Sequence, residues 1–360
     1  LPMHSSLSNI RVAGIAVTTG SVVRDFITDG LAAGIERGAL ERTAQAIGLR
    51  ERRVAAPGVT ALDLCADAAE RLLSEMGLDA TSIDAVIFVT QTPDHSQPNN
   101  ASLLHGRLGL SKSAPAYDLS LGCSGWVYAL QQAALLCAHG GARAVLLCAG
   151  DTLSRTTNPR DRATDPLFGD AGSATLVVRD PAAGPWYFVL GADGARARVI
   201  EVPAGGARSP RGREPWVERA DADGNVRHPG DLHMDGAEVF NFTLREVPAA
   251  VADVMALAGW TEPVVDALVL HQANRFVLSS LGRKCGFPAA KTPMDLVERF
   301  GNQSSASIPC ALVEALGPEL GRRPLRLVAC GFGVGLSWGA VALTAGPLTL
   351  LPTAPLLPSP

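Results

Sequence analysis

Apolar residues in this chain fall into short unbroken runs, and between those runs they recur at helical spacing. In the first half, residues 10–17, 84–89, 116–119 and 144–148 read as strands. Unalternated apolar runs of this length fit strands covered on both faces. Residues 60–76, 98–108 and 124–139 read as helices, with Asp63 near the first start and Gly77, Gly109 and Gly140-Gly141 at the three ends. The second half repeats the pattern. Residues 238–257 and 274–284 read as helices, 266–270, 325–329 and 337–343 as strands, and a further helical stretch opens at Gly301-Asn302.

Strands alternating with helices of this length imply a parallel α/β sheet with helices on both faces. Each half carries strand, polar residue and helix at a comparable place, which predicts a duplicated unit. The expected division is 8–184, 185–345 and an irregular tail, 346–360. A polar, loop-rich stretch at 205–230 reads as a lid or a partner contact. No residue from 327 to 351 is charged, yet five glycines and Pro347 interrupt the stretch. It reads as two buried strands around a glycine turn, not a membrane span.

Composition narrows the function classes. The 360 residues are 47% hydrophobic and 18% charged, which excludes a disordered chain. Net charge is −4, which argues against a broad nucleic-acid face. The seven cysteines are odd in number and have no C-x-x-C spacing, so neither a disulfide framework nor a cysteine zinc site is expected. Nothing else points to a metal. A reducing cytoplasm is the expected compartment, and the first residues lack a leader pattern.

Candidate chemistry begins at Cys123, in Leu119-Ser120-Leu121-Gly122-Cys123-Ser124-Gly125-Trp126. A strand ends, glycines flank a sharp turn, and a helix starts at the sulfur. The helix N-terminus is expected to favour thiolate and to lower the thiol pKa. A buried structural cysteine is the plain alternative. His271 follows an apolar strand, where α/β proteins place their sites; a capping or core histidine is the alternative. Asn302, in Gly301-Asn302-Gln303-Ser304-Ser305-Ala306-Ser307, is a helix cap by default, or an amide donor into a pocket. Gly331-Phe332-Gly333-Val334-Gly335 could present backbone N–H groups to a ligand, or form a tight hairpin. Its spacing does not match a dinucleotide fingerprint.

Together these motifs resemble the ketoacyl-ACP synthase III members of the thiolase superfamily. Gly122-Cys123-Ser124-Gly125, His271-Gln272-Ala273-Asn274, the Gly301–Pro309 stretch and the glycine turn before Ser337-Trp338-Gly339 carry the resemblance. Gly48-Leu49-Arg50-Glu51-Arg52-Arg53, Asp161-Arg162 and Phe168-Gly169-Asp170-Ala171-Gly172 extend it over about residues 8 to 344. The resemblance implies a five-layered αβαβα sandwich of two duplicated halves, acting as a homodimer. It implies acyl transfer from acyl-CoA or acyl carrier protein to Cys123, then decarboxylative Claisen condensation with a malonyl thioester. His271 and Asn302 would assist the second step, and the N–H groups of Cys123 and Val334 would form the oxyanion hole. No tightly bound cofactor is implied.

Departures bear on substrate. Many members have three consecutive glycines where Val334 stands. The tryptophan that stacks the CoA adenine aligns with Arg42, and its clamp partner is retained as Arg162. The phenylalanine that enters the neighbouring subunit's acyl pocket aligns near Gln97. These changes tilt the expectation from acetyl-CoA priming toward a specialised-metabolism or surface-sugar pathway member, with the condensing chemistry intact. Phe332 is expected to line the substrate site, and Arg275, with Arg283-Lys284, to offer acidic carrier proteins a basic rim. Two other functions stay open: acyl transfer to a hydroxyl or amine with His271 as general base, and a non-catalytic scaffold.

Overall fold

A computed structural model describes residues 2–211 and 215–357. Residues 212–214 of the expected lid stretch lie outside the described residues. Its strands are β1 (Met3–Leu7), β2 (Ile10–Thr19), β3 (Val22–Asp25), β4 (Glu51–Val54), β5 (Ala85–Val89), β6 (Ala116–Leu119), β7 (Ala144–Asp151), β8 (Ala171–Arg179) and β9 (Trp186–Ala192). Four two-residue strands follow: β10 (Ile200–Glu201), β11 (Arg219–Ala220), β12 (Val226–Arg227) and β13 (His233–Met234). The last are β14 (Ala267–Leu270), β15 (Leu325–Gly333), β16 (Ser337–Ala345), β17 (Thr349–Leu350) and β18 (Ala354–Pro355). The α-helices are α1 (Phe26–Ala32), α2 (Arg37–Ile47), α3 (Ala61–Glu75), α4 (Asn100–Leu108), α5 (Gly125–Ala138), α6 (Gly236–Ala258), α7 (Arg275–Lys284), α8 (Val297–Phe300) and α9 (Ser307–Leu320).

Two large sheets result. The first runs β17-β2-β8-β7-β5-β6, with β18 also on β2; the second runs β1-β9-β16-β15-β14. Strands β5, β6 and β7 pair in parallel, whereas β8 is antiparallel to both its neighbours. Helices α3 and α4 cover the outer face of the first sheet and α6 the outer face of the second, with α7 against α6. Helices α5 and α9 lie between the sheets. The layers are therefore αβαβα. The sequence of α5 follows from its place: it carries no charge and is apolar nearly all round, because both its faces are packed. Thr60 and Asp63 close a capping box at the start of α3, as the acidic start predicts. The uncharged stretch near the end forms β15 and β16 as an antiparallel pair around the glycine turn.

Three features differ from the sequence reading. First, residues 346–357 are not wholly irregular: β17 and β18 pair in parallel with β2 and cover its edge. Second, β1 precedes the expected first half yet pairs with β9 in the second sheet. Each sheet thus carries strand residues from the opposite end of the chain, which ties the halves together. Third, Cys123 and His271 do not occupy matching positions. Aligning β2-β8-β7-β5 with β9-β16-β15-β14 makes β5 the counterpart of β14, so His271 matches the Thr90-Gln91 end of β5, while Cys123 follows β6.

Candidate active site

Cys123, His271 and Asn302 all line one cavity of about 350 Å³, together with Phe332, Gly333 and Val334. Its walls are mainly apolar, including Leu153, Phe168, Leu232, Phe240 and Val277. Arg162 and Thr43 line both this cavity and an adjoining one of about 420 Å³.

The turn after β6 delivers Cys123 to the cavity. A Cβ on Gly125 would lie 2.4 Å from Val89, so only glycine lets α5 begin this close to β5. The end of β15 comes equally near: a Cβ on Gly333 would lie 3.1 Å from the Cys123 sulfur. Ser337 fastens the two turns together. Its hydroxyl donates to the Val334 carbonyl at 2.7 Å and meets the Ser124 hydroxyl at 2.7 Å. Among the described residues, neither the Cys123 nor the Val334 backbone N–H has a backbone acceptor.

The expected lowering of the thiol pKa is overturned. Burial pushes Cys123 up to about 12, and the nearby Asp151 carboxyl adds to the rise. The Ser304 hydroxyl, 3.8 Å from the sulfur, and the backbone N–H of Cys123 pull the other way without winning. Desolvation of the anion is the largest effect because the sulfur is enclosed by protein on the α5, β15 and Ser304 sides.

His271 extends β14, its N–H donating to the Cys330 carbonyl at 2.9 Å. Burial drives its pKa down to about 3, with the Ser304 backbone opposing weakly, so the ring is neutral near pH 7. Its Nδ1 lies 2.7 Å from the Ser307 hydroxyl, and Phe332 meets the ring edge-on at 5.3 Å.

Asn302 is not a helix cap. Its backbone N–H donates to the Leu167 carbonyl at 2.8 Å, and its carbonyl accepts from Gly169 at 3.0 Å. The Phe168-Gly169 segment, between β7 and β8, therefore holds a residue brought in by the chain after β14. The Asn302 Oδ1 accepts from the Ser304 N–H at 2.9 Å, leaving the amide Nδ2 as the group available to donate. Ser304 itself is held at φ 48°, a left-handed conformation that costs a non-glycine residue about 1 kcal/mol.

Asp151, missed in the sequence, ends β7 behind these groups. It accepts from the Gln91 N–H and the Ser305 hydroxyl, both at 2.7 Å. Burial raises its pKa. A polar residue ending an uncharged buried strand was the available signal.

The remaining candidates separate. Arg162 lines the cavity and has no carboxylate partner among the described residues. Arg42 is exposed on α2 beside Thr43, and Gln97 is exposed before Pro98; neither lines the cavity. Arg275 does not stand free at a rim: its guanidinium reaches Asp295 at 3.2 Å and Glu298 at 3.3 Å, and its stem packs on Gly48. Arg283 and Lys284 are exposed. No group of His, Cys, Asp and Glu suited to a metal occurs among the described residues, and no helix there is long and apolar enough to cross a membrane.

Comparison with known proteins gives this geometry a family. The family described as 3-oxoacyl-[acyl-carrier-protein] synthase III matches residues 117–194, and its C-terminal part matches 255–345. A relative from Rhodopirellula baltica, named beta-ketoacyl-[acyl-carrier-protein] synthase III, is 35% identical over 93% of this chain and 98% of its own. The crystal structure of a 3-oxoacyl-(acyl-carrier protein) synthase from Burkholderia xenovorans LB400 superposes with a TM-score of 0.90 at 37% identity, covering 99% of both chains. The priming beta-ketosynthase of the R1128 polyketide pathway gives 0.81 at 28% identity, over 96% of this chain and 98% of that one. Two sheets that bring a cysteine, a histidine and an asparagine to one cavity are accordingly those of a thiolase fold, and the chain belongs to the beta-ketoacyl-[acyl-carrier-protein] synthase III family.

Proposed function

We propose that Cys123 takes an acyl group from a CoA or carrier-protein thioester and that His271 and Asn302 then drive its condensation with a malonyl thioester. The chain is a condensing acyltransferase of the synthase III kind; the residue roles are our assignment. In the first step the Cys123 sulfur attacks the thioester carbonyl, the N–H groups of Cys123 and Val334 hold the oxyanion, and the cysteine proton leaves on the departing thiol. Splitting the reaction through an acyl-enzyme replaces one hard step with two easier ones. In the second step His271 and Asn302 donate to the carbonyl oxygen of the malonyl thioester. The C–CO₂ bond breaks, negative charge gathers on that oxygen, and the resulting carbanion attacks the acyl-cysteine. The C–S bond breaks, the 3-oxoacyl thioester departs, and Cys123 regains a proton. Donors aimed at a developing enolate contribute about 3–4 kcal/mol each.

The observation that carries this reading is the neutral, buried His271 beside an asparagine carboxamide. A ring with pKa about 3 donates well and is a poor base. General-base transfer to an alcohol calls for a pKa nearer the working pH. Arg162, which lines the cavity and has no carboxylate partner among the described residues, supports a phosphate-bearing thioester. The edge of β6, which has no further strand partner among the described residues, supports a homodimer, and the free thiols support a cytoplasmic site.

The test incubates acyl-CoA panels with malonyl-CoA or malonyl carrier protein and follows CO₂ release and product mass. Ketoacyl products bear the reading out. Ester or amide formed only with added alcohol or amine overturns it.

A further inference from the structure

We propose that Ser307 is the positioning residue that sets the tautomer of His271, so that Nε2 carries the proton and faces the cavity. The inference rests on the condensing role given to His271 above. Ser307 opens α9, is fully buried, and has its hydroxyl 2.7 Å from His271 Nδ1. The same oxygen accepts from the Gln272 backbone N–H at 3.4 Å. Among the described residues these are its only hydrogen-bond partners.

Proton counting then decides the direction. A hydroxyl has one proton to give. If Nδ1 carried hydrogen, the Ser307 oxygen would face two N–H donors, and its own proton would have no acceptor in a buried site. Leaving a buried polar group unmade is costly. With Nδ1 as acceptor, the Ser307 hydroxyl is fully used, Gln272 N–H to Oγ and Oγ–H to Nδ1, and the ring's one hydrogen sits on Nε2, with the Ser304 backbone also near the ring. Phe332 against the ring restricts its rotation, so the freed donor keeps one direction. That direction matters only in the decarboxylation, where Nε2–H meets the developing enolate. A flipped tautomer would turn a lone pair toward it.

Ser307 does not touch the sulfur, which makes the prediction selective. Three proteins are compared: wild type, Ser307→Ala and Ser307→Thr. Nitrogen-15 NMR of histidine-labelled protein reads the tautomer directly. Mass spectrometry reads acyl loading of Cys123, and CO₂ release from a malonyl thioester reads the second step. Ser307→Ala is expected to lose the pure Nε2–H signature and to slow CO₂ release by about a hundredfold to a thousandfold, on the scale of losing one aligned donor. Acyl loading should stay within about twofold of wild type. Ser307→Thr, which retains the hydroxyl, should keep the Nε2–H signature and recover the decarboxylation rate. Two results would overturn the assignment: Ser307→Ala retaining the wild-type tautomer, whatever its rate, or wild type itself showing hydrogen on Nδ1. If wild-type protein loads no acyl group and releases no CO₂, the condensing role fails, while the NMR result still decides the tautomer.

Discussion

The thiol of Cys123 is predicted to be almost entirely protonated in the resting enzyme. Its pKa of about 12 stands 3 units above the ordinary value of 9.0. At about 1.36 kcal/mol per unit, the site disfavours the bare thiolate by about 4 kcal/mol. Alkylation by iodoacetamide follows the thiolate population. Its rate at Cys123 should therefore climb about tenfold per pH unit from 7 to 10 without levelling. Ser304→Ala removes the hydroxyl 3.8 Å from the sulfur. Hydrogen bonds to charged groups contribute about 1.5–3 kcal/mol, and this long contact belongs at the low end. The variant should alkylate about tenfold more slowly at each pH. The assay quantifies the Cys123 peptide by mass spectrometry, because Cys285 is also only half-buried. A rate that levels off below about pH 8 would refute the reasoning, since it would mean that the end of α5 outweighs burial. The catalytic consequence is that the proton leaves during acyl transfer, when the donor thioester has replaced water at the sulfur.

Two further outcomes follow from the same geometry. His271 has its pKa depressed from 6.5 to about 3 in the folded state, so between those values the unfolded chain binds the extra proton. Stability from this group is fully present above about pH 6.5 and is lost as pH falls toward 3. The loss is about 5 kcal/mol, and His271→Gln should flatten that part of a denaturant-unfolding series against pH. Gly333→Ala would put a methyl group 3.1 Å from the sulfur; circular dichroism should stay unchanged while acyl loading falls at least tenfold, and unchanged loading would show that β15 does not limit access to Cys123.

The chain order alone determined much of this protein. Helix ends at Gly77, Gly109 and Gly140-Gly141, the buried runs of β5, β7 and β14, and the Cys123, His271 and Asn302 motifs are local patterns, legible within a few residues of themselves. The resemblance of those motifs to one family carried the layered fold with them. Tertiary structure decided the rest, because burial and partners far along the chain leave no trace in spacing. The helix N-terminus at Cys123 was visible in the sequence, but the enclosure that raises its pKa comes from β15 and Ser304, more than 180 residues away. Arg275 looked like a free cation until Asp295 and Glu298 came within reach of its guanidinium. The strands β1, β17 and β18 are too short and irregular to announce themselves, and they form only because an edge of β9 or β2 offers unpaired backbone groups to them.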